Sequence, residues 1–296
     1  MRTLQRSASV VVAAALLCAC LVATASASSF RDSTTTTVLA TTTSTSTTTT
    51  TVPSVSKTSS EQDPFLVKRF AEYLEDRTNL VTAAVYDVKS GATYVYHYGV
   101  REKTASMAKI DILADLLYES QNSGVPLTTK ELSLATSMIE QSNNQSADKL
   151  WAAAGGYDAI SSFDKLIGFK DTVISYDWGQ IETTPLDQLQ LLKVIVLPNR
   201  ILNAASRNYE MNLMENVTSS ERFGLGWGSP TGALVGQKNG WYPETDTGWQ
   251  LNSSGFVEFH GRFYLATIMN TKNPDEDYGI STLTQIARYL WMYLKP

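Results

Sequence analysis

Ser106 and Lys109 stand three residues apart in the run Thr104-Ala105-Ser106-Met107-Ala108-Lys109-Ile110. On a helix this spacing puts a hydroxyl and a primary amine on one face, about 5–6 Å apart at their Cβ atoms. A hydroxyl becomes a useful nucleophile when a base takes its proton. A lysine can do that only as the free amine, which burial or nearby positive charge favours. The chemistry implied is acyl transfer through serine, helped by backbone N–H groups at the helix start that face developing negative charge. Spacing alone is a weak signal, because Ser54/Lys57, Ser146/Lys149 and Ser162/Lys165 repeat it. What distinguishes Ser106 is its setting between two strand-like runs and an apolar helix bearing Ile110, Ile112, Leu113, Leu116 and Leu117.

The elements that must hold such a pair follow from periodicity. Asp63-Pro64 caps and starts a helix whose apolar face is Leu66, Val67, Phe70, Tyr73 and Leu74. Strand patterns occupy 80–87 and 92–98, and helices then dominate to about residue 216. Thr128 and Glu131 form a capping box, and Thr184-Pro185 opens another helix. Strand patterns return at 223–227, 233–238, 249–251, 256–259 and 263–270, and 281–294 closes the chain as a helix. Strands at both ends of a helical middle imply one sheet built from distant segments, with a helical half inserted between them. Gly224-x-Gly226-x-Gly228 reads as a bend in that sheet, and the acidic stretches at 244–246 and 274–277 as solvated turns.

Two further segments extend the chemistry. Ser142-Asn143-Asn144 separates two helices, and Lys238-Asn239-Gly240 ends a strand-like run. The ordered triple resembles the active-site signature of class A β-lactamases and penicillin-binding proteins, Ser-x-x-Lys, Ser-Asp-Asn and Lys-Thr-Gly. The likeness extends over most of 63–296 and includes Thr183-Thr184-Pro185 and the late hairpin. It implies an α+β fold of the β-lactamase/D,D-transpeptidase type: a five-stranded antiparallel sheet flanked by helices, with the site beside an all-helical half. By the same resemblance Ser106 attacks a carbonyl, Lys109 manages its proton and Ser142 relays a proton to the leaving nitrogen. Asn144 would hold a substrate amide, Lys238 and Asn239 a substrate carboxylate, and Gly240 would leave room for edge-on approach. The amides of Ser106 and Trp241 would form an oxyanion hole, where each donor typically contributes about 2.7–4 kcal/mol. The expected substrates are β-lactams or cell-wall peptides.

The departures are specific. Asn143 replaces aspartate and Asn239 replaces threonine, bulky Trp241 follows, and the stretch between the first two motifs is short. Residues 171–184 lack the Glu-x-x-Leu-Asn whose glutamate activates the deacylating water in family β-lactamases. Their only carboxylates from 175 onward are Asp177 and Glu182. Acylation with slow release is therefore expected, as in a weak β-lactamase or a D,D-peptidase. The alternative is a non-catalytic module that binds cell-wall peptide or a protein partner in the same cleft.

Residues 1–27 carry Arg2 and Arg6, an apolar run and Ala25-Ser26-Ala27, as a secretory signal does. The run from 9 to 23 is 15 residues, short of the roughly 20 that span a bilayer. Acylation at Cys20 is the alternative processing route, so the chain is expected outside the cytoplasmic membrane, free or lipid-anchored. Residues 28–60 read as a threonine- and serine-rich tether with too few apolar groups to order, and 61–296 as the hydrolase domain. Cys18 and Cys20 are the only cysteines, so the body holds no thiol nucleophile, cysteine zinc site or disulfide. His97 and His260, the only histidines, fall in strand patterns, and no Gly-x-Ser-x-Gly turn exists. No metal, cofactor or Ser-His-Asp triad is expected. Without Arg2 and Arg6 the chain has 22 basic against 29 acidic residues and no basic cluster, which argues against nucleic acid. A carboxylate-pair glycosidase has no specific support, and a monomer is expected.

Overall fold

The computed structural model describes residues 63–294; the expected signal (1–27) and tether (28–60) lie outside them. Asp63 accepts from the Phe65 amide at 2.9 Å and Pro64 opens a short 3₁₀ turn. After it come α1 (Lys68–Glu75), β1 (Leu80–Asp87), β2 (Thr93–Tyr96) and the two-residue β3 (Glu102–Lys103). The helical half follows as α2 (Ala108–Ser123), α3 (Thr129–Glu140), α4 (Asn144–Ala154) and α5 (Gly156–Ile167). The short β4 (Glu182–Thr183) pairs with β3, and α6 (Pro185–Val196) and α7 (Ala204–Glu215) complete this half. The chain then runs through α8 (Leu225–Gly228), β5 (Leu234–Glu244), β6 (Gly248–Phe259), β7 (Arg262–Asn273) and α9 (Glu276–Tyr293).

The sheet has the order β2-β1-β7-β6-β5, built from both ends of the domain, and is antiparallel throughout, as the resemblance implies. Successive side chains of a strand point to opposite faces, and here each face has its own core. Ala84, Phe256 and Leu265 join Ile110, Leu113, Met138, Ile139 and Leu189 of the helical half. Their neighbours Val85, Val257 and Ala266 join Phe70, Ile286 and Leu290 on the other side. Both helix starts read from the sequence hold: Thr128 and Glu131 form the capping box of α3, and Thr184 caps α6 with Pro185 in its first turn.

Five expectations are corrected. Residues 223–227 are not a strand: Gly224 turns with φ +72° into α8, which packs on α9. A Cβ at Gly228 would stand 2.4 Å from the Ala287 Cβ, so glycine is required there by helix packing and not by a bend in the sheet. The two runs at 249–251 and 256–259 are one strand, β6. Its middle, Asn252, Ser253 and Ser254, is polar yet wholly buried, because β5 and β7 flank it and its side chains find partners. The turn at 274–277 contains the start of α9, with Asp275 accepting from the Tyr278 amide. His97 and His260 lie just beyond strands, at φ +54° and +49°; His97 Nδ1 hydrogen-bonds Val81 O at 2.7 Å.

Candidate active site

The chain enters the site through a strained corner. Thr104 is held by a hydrogen bond from its amide to Ile181 O, and Asn252 Nδ2 donates to the carbonyls of both Lys103 and Thr104. Ala105 then takes φ +47°, a left-handed conformation that costs a non-glycine residue roughly 1–2 kcal/mol. Ser106 follows within a 3₁₀ turn, Ala105–Met107, that runs directly into α2. The sequence reading placed this serine at an α-helix start; the tighter turn still brings the amine three residues on to its hydroxyl. Ser142 is likewise left-handed, φ +55°, at the corner between α3 and α4. Asn143 there does a structural job: its Oδ1 accepts from the Ser146 amide and caps α4.

These corners bring Ser106, Lys109, Ser142, Asn144 and Lys238 together. Lys109 Nζ lies 2.8 Å from Ser106 Oγ, 2.6 Å from Ser142 O, 2.7 Å from Asn144 Oδ1 and 3.2 Å from Ser142 Oγ. A neutral amine has two N–H donors and one lone pair. It can donate to the two shortest partners, Ser142 O and Asn144 Oδ1, and accept the hydroxyl proton of Ser106. After that transfer the ammonium has three protons for the same three partners, so both protonation states are satisfied. Burial, and next the charge of Lys238, bring the Lys109 amine down to about 7, with Glu221 and Asp148 pulling the other way. The Trp178 ring covers the amine with its centroid 4.9 Å away, and its Nε1 donates to Asp148.

Lys238, fully buried on β5, donates to Ser142 Oγ at 3.0 Å and to Asn239 O at 2.8 Å. Glu221 Oε2 lies 3.6 Å from its amine. Burial lowers Lys238 to about 8 against the pull of Glu221, and burial raises the Glu221 carboxyl against the pull of both lysines. Ser142 Oγ thus bridges the two amines. A solvent-facing cleft of about 260 Å³ opens over the group, lined by Ser106, Gln141, Ser142, Asn144, Glu221 and Trp241. A larger hollow of about 460 Å³ beside the β5–β6 hairpin is lined by Lys103, Tyr242 and Glu244 among others, and neither Ser106 nor Lys109 lines it.

Two expected roles change. Asn239 is fully buried, and its Nδ2 donates to Glu221 O at 2.8 Å and Phe223 O at 2.9 Å while its Oδ1 accepts from Gln237. Its side chain therefore has nothing to offer a substrate carboxylate; it clamps the turn bearing Glu221. Gly240 serves the backbone more than a ligand: a Cβ there would sit 2.5 Å from Thr104 O and 2.8 Å from the amide nitrogens of Ser106 and Met107. Trp241 lines the cleft and packs edge-on against Phe223 at 5.6 Å. Glu221, Gln141 and Trp178 were missed by the sequence reading. The signal available for Glu221 was the pairing of Gln237 with Asn239 on one face of a strand, which had to meet something polar.

Among the described residues no group of three or more His, Cys, Asp or Glu side chains could hold a metal ion. The arrangement is a half-buried hydroxyl against a buried amine, with a second hydroxyl and a second amine beside them, open to a polar cleft. On this fold it is the kind of arrangement that the β-lactamase-type serine hydrolase family carries. The profile of the beta-lactamase enzyme family matches residues 119–294, and the chain belongs to that family. The match takes in Ser142, Glu221 and Lys238; Ser106 and Lys109 precede it. The chain is also 24% identical over 199 residues to LppW of Mycobacterium tuberculosis and of Mycobacterium bovis, described as a candidate lipoprotein. That likeness covers 64% of this chain and only 62% of LppW. Among solved structures, the TLA-1 extended-spectrum β-lactamase superposes with a TM-score of 0.69 at 18% identity, over 76% of this chain and 96% of that one. A class A β-lactamase of Bacteroides cellulosilyticus gives 0.68 at 17%, over 76% and 95%. PBP-A gives 0.65 at 19%, over 75% and 92%.

Proposed function

We propose that the protein is an exported serine hydrolase that is acylated at Ser106 by β-lactams or cell-wall peptides and releases the acyl group slowly. The observation that carries this reading is the 2.8 Å contact between Ser106 Oγ and a Lys109 amine held near 7. Ser106 Oγ attacks the carbonyl carbon as Lys109 takes its proton. The tetrahedral oxyanion rests on the amides of Ser106 and Trp241. The C–N bond then breaks, and the proton returns through Ser142 to the leaving nitrogen, with Lys238 holding the relay hydroxyl in place. Asn144, already bonded to Lys109, is the side chain that meets a substrate amide.

Slow release rests on the loop that would supply a second base. Asp177 Oδ1 is spent capping the turn at Trp178–Gln180, Glu182 is exposed on β4, and neither lines the cleft. An indole covers Lys109 from this loop, where a carboxylate would be needed to activate water. Export is supported by the character of residues 1–27 and by the description given to LppW. Among the described residues no helix is long and apolar enough to cross a membrane.

The test is labelling with a fluorescent penicillin followed by intact mass. One adduct on Ser106 is expected, absent in Ser106→Ala, formed more slowly in Lys109→Ala, and persisting for many minutes after removal of free reagent. No labelling at high concentration would overturn the hydrolase reading and leave a binding cleft. Fast turnover that depends on Asp177 or Glu182 would overturn slow release.

A further inference from the structure

Lys238 already has two hydrogen-bond acceptors and a carboxylate around its amine. Its ammonium carries three donors, and Asn239 O, Ser142 Oγ and Glu221 Oε2 stand at 2.8, 3.0 and 3.6 Å. The resemblance assigned a substrate carboxylate to this amine, and an internal carboxylate already occupies that side of it. Glu221 is the only carboxylate among the residues lining the cleft. Its Oε2 is shut from solvent against Lys238 and makes no hydrogen bond, which leaves Oε1 to face the cavity.

Glu221 is also fixed in place. Gln237 Nε2 and Asn239 Nδ2 each donate to both Glu221 O and Phe223 O, at 2.8 to 3.0 Å. The adjacent Arg222 guanidinium is turned to the carbonyls of Glu215 and Val235, so it brings no positive charge to offset Glu221 in the cleft. An anionic ligand group beside Lys238 would have to displace a clamped carboxylate or sit against it, and like charges brought together at an interface discriminate strongly against the wrong partner.

Resting on the hydrolase reading, we infer that Glu221 is a specificity residue that excludes acyl substrates with a free carboxylate beside Lys238 and selects those with an uncharged carboxamide there. The amide N–H of such a group donates to Glu221 Oε1. Asn239, the departure from the family's threonine, is then the clamp that makes this exclusion possible.

Two thioesters that differ only in bearing a carboxylate or a primary carboxamide on the leaving thiol test this. Ser106 Oγ bonds to the acyl carbon, the C–S bond breaks, and the serine proton ends on the released thiol, which a thiol reagent reads. The wild-type protein should favour the carboxamide by about tenfold or more in kcat/KM, and Glu221→Gln should erase or reverse that preference. Equal rates, a carboxylate preference, or a preference untouched by Glu221→Gln would overturn the inference. Calorimetry of an N-acyl amino acid and its amide on the Ser106→Ala protein reads the same preference without acylation. If the thioesters are inert while that protein still binds the amide better, the hydrolase reading falls and the role of Glu221 stands. If it binds neither, or the acid better, the role of Glu221 falls.

Discussion

Replacing Lys238 by glutamine removes a positive charge from the immediate surroundings of Lys109 while keeping a donor for Ser142. Both amines bond Ser142 Oγ, at 3.2 and 3.0 Å, so they lie no more than about 6 Å apart. At an effective dielectric of about 20, unit charges at about 6 Å interact by about 3 kcal/mol, or about two pKa units. The Lys109 amine, held near 7 by burial and then by Lys238, should therefore rise toward 9 in the variant. A lysine works as base only when deprotonated, so acylation increases with pH through this value. At pH 7 the neutral fraction falls from about one half to about one hundredth, roughly a 50-fold loss that is recovered by pH 10. The assay is the first-order acylation rate at saturating fluorescent penicillin, measured from pH 5 to 10, so that weakened binding does not enter. Glu221 opposes Lys238 at Lys109, so Glu221→Gln alone should move the midpoint down. The double variant should lie above wild type but below Lys238→Gln. A midpoint that stays near 7 in Lys238→Gln while the plateau drops would refute the electrostatic role and leave Lys238 as a donor to Ser142 only.

Gly240→Ala should cost about 2–3 kcal/mol and abolish acylation, because the added carbon meets only backbone, within 2.8 Å of the Ser106 amide; urea unfolding and labelling check both. Asn239→Ala removes a clamp on the 219–222 turn but leaves that of Gln237, so a loss of about 1–2 kcal/mol is expected. Faster amide exchange confined to that turn would accompany it. In the helical half burial, more than any charged neighbour, raises Asp115 to about 7 and lifts Asp111 and Asp164 above the usual carboxyl range. A folded-state pKa raised above the unfolded one gives stability that is complete below about pH 4 and is lost as pH rises through about 7. The urea midpoint should therefore be lower at pH 8 than at pH 5, and Asp164→Asn should narrow the gap; an unchanged gap would remove Asp164 from the account.

Much of this site was legible because three short motifs, each weak alone, follow one another in a fixed order. Ser142 and Lys238 stood out by order, and the sheet by strand patterns at both ends of the domain. What escaped reading escaped for physical reasons. Glu221 meets Lys238 across a turn, 3.6 Å away in space, and no periodicity links the two in the chain. Asn239 was assigned by analogy with threonine, although strand parity puts Gln237 and Asn239 together on one face and sends their amides to the same two carbonyls. The middle of β6 looked like a break because serine and asparagine are poor strand formers in isolation; tertiary pairing overrides that preference. At 223–227, glycines between apolar residues imitate strand alternation while answering to close packing on α9.

The Ser142 hydroxyl joins an amine from the helical layer to one from the sheet, and so it is also a tertiary strut. A reaction that draws its proton to a leaving group briefly unties the α3–α4 corner from the edge strand. Occupancy of the pocket should then be legible far from any product: amides around residues 141–144 would exchange with solvent at a different rate when Ser106 is acylated, making the corner an internal reporter of the catalytic cycle.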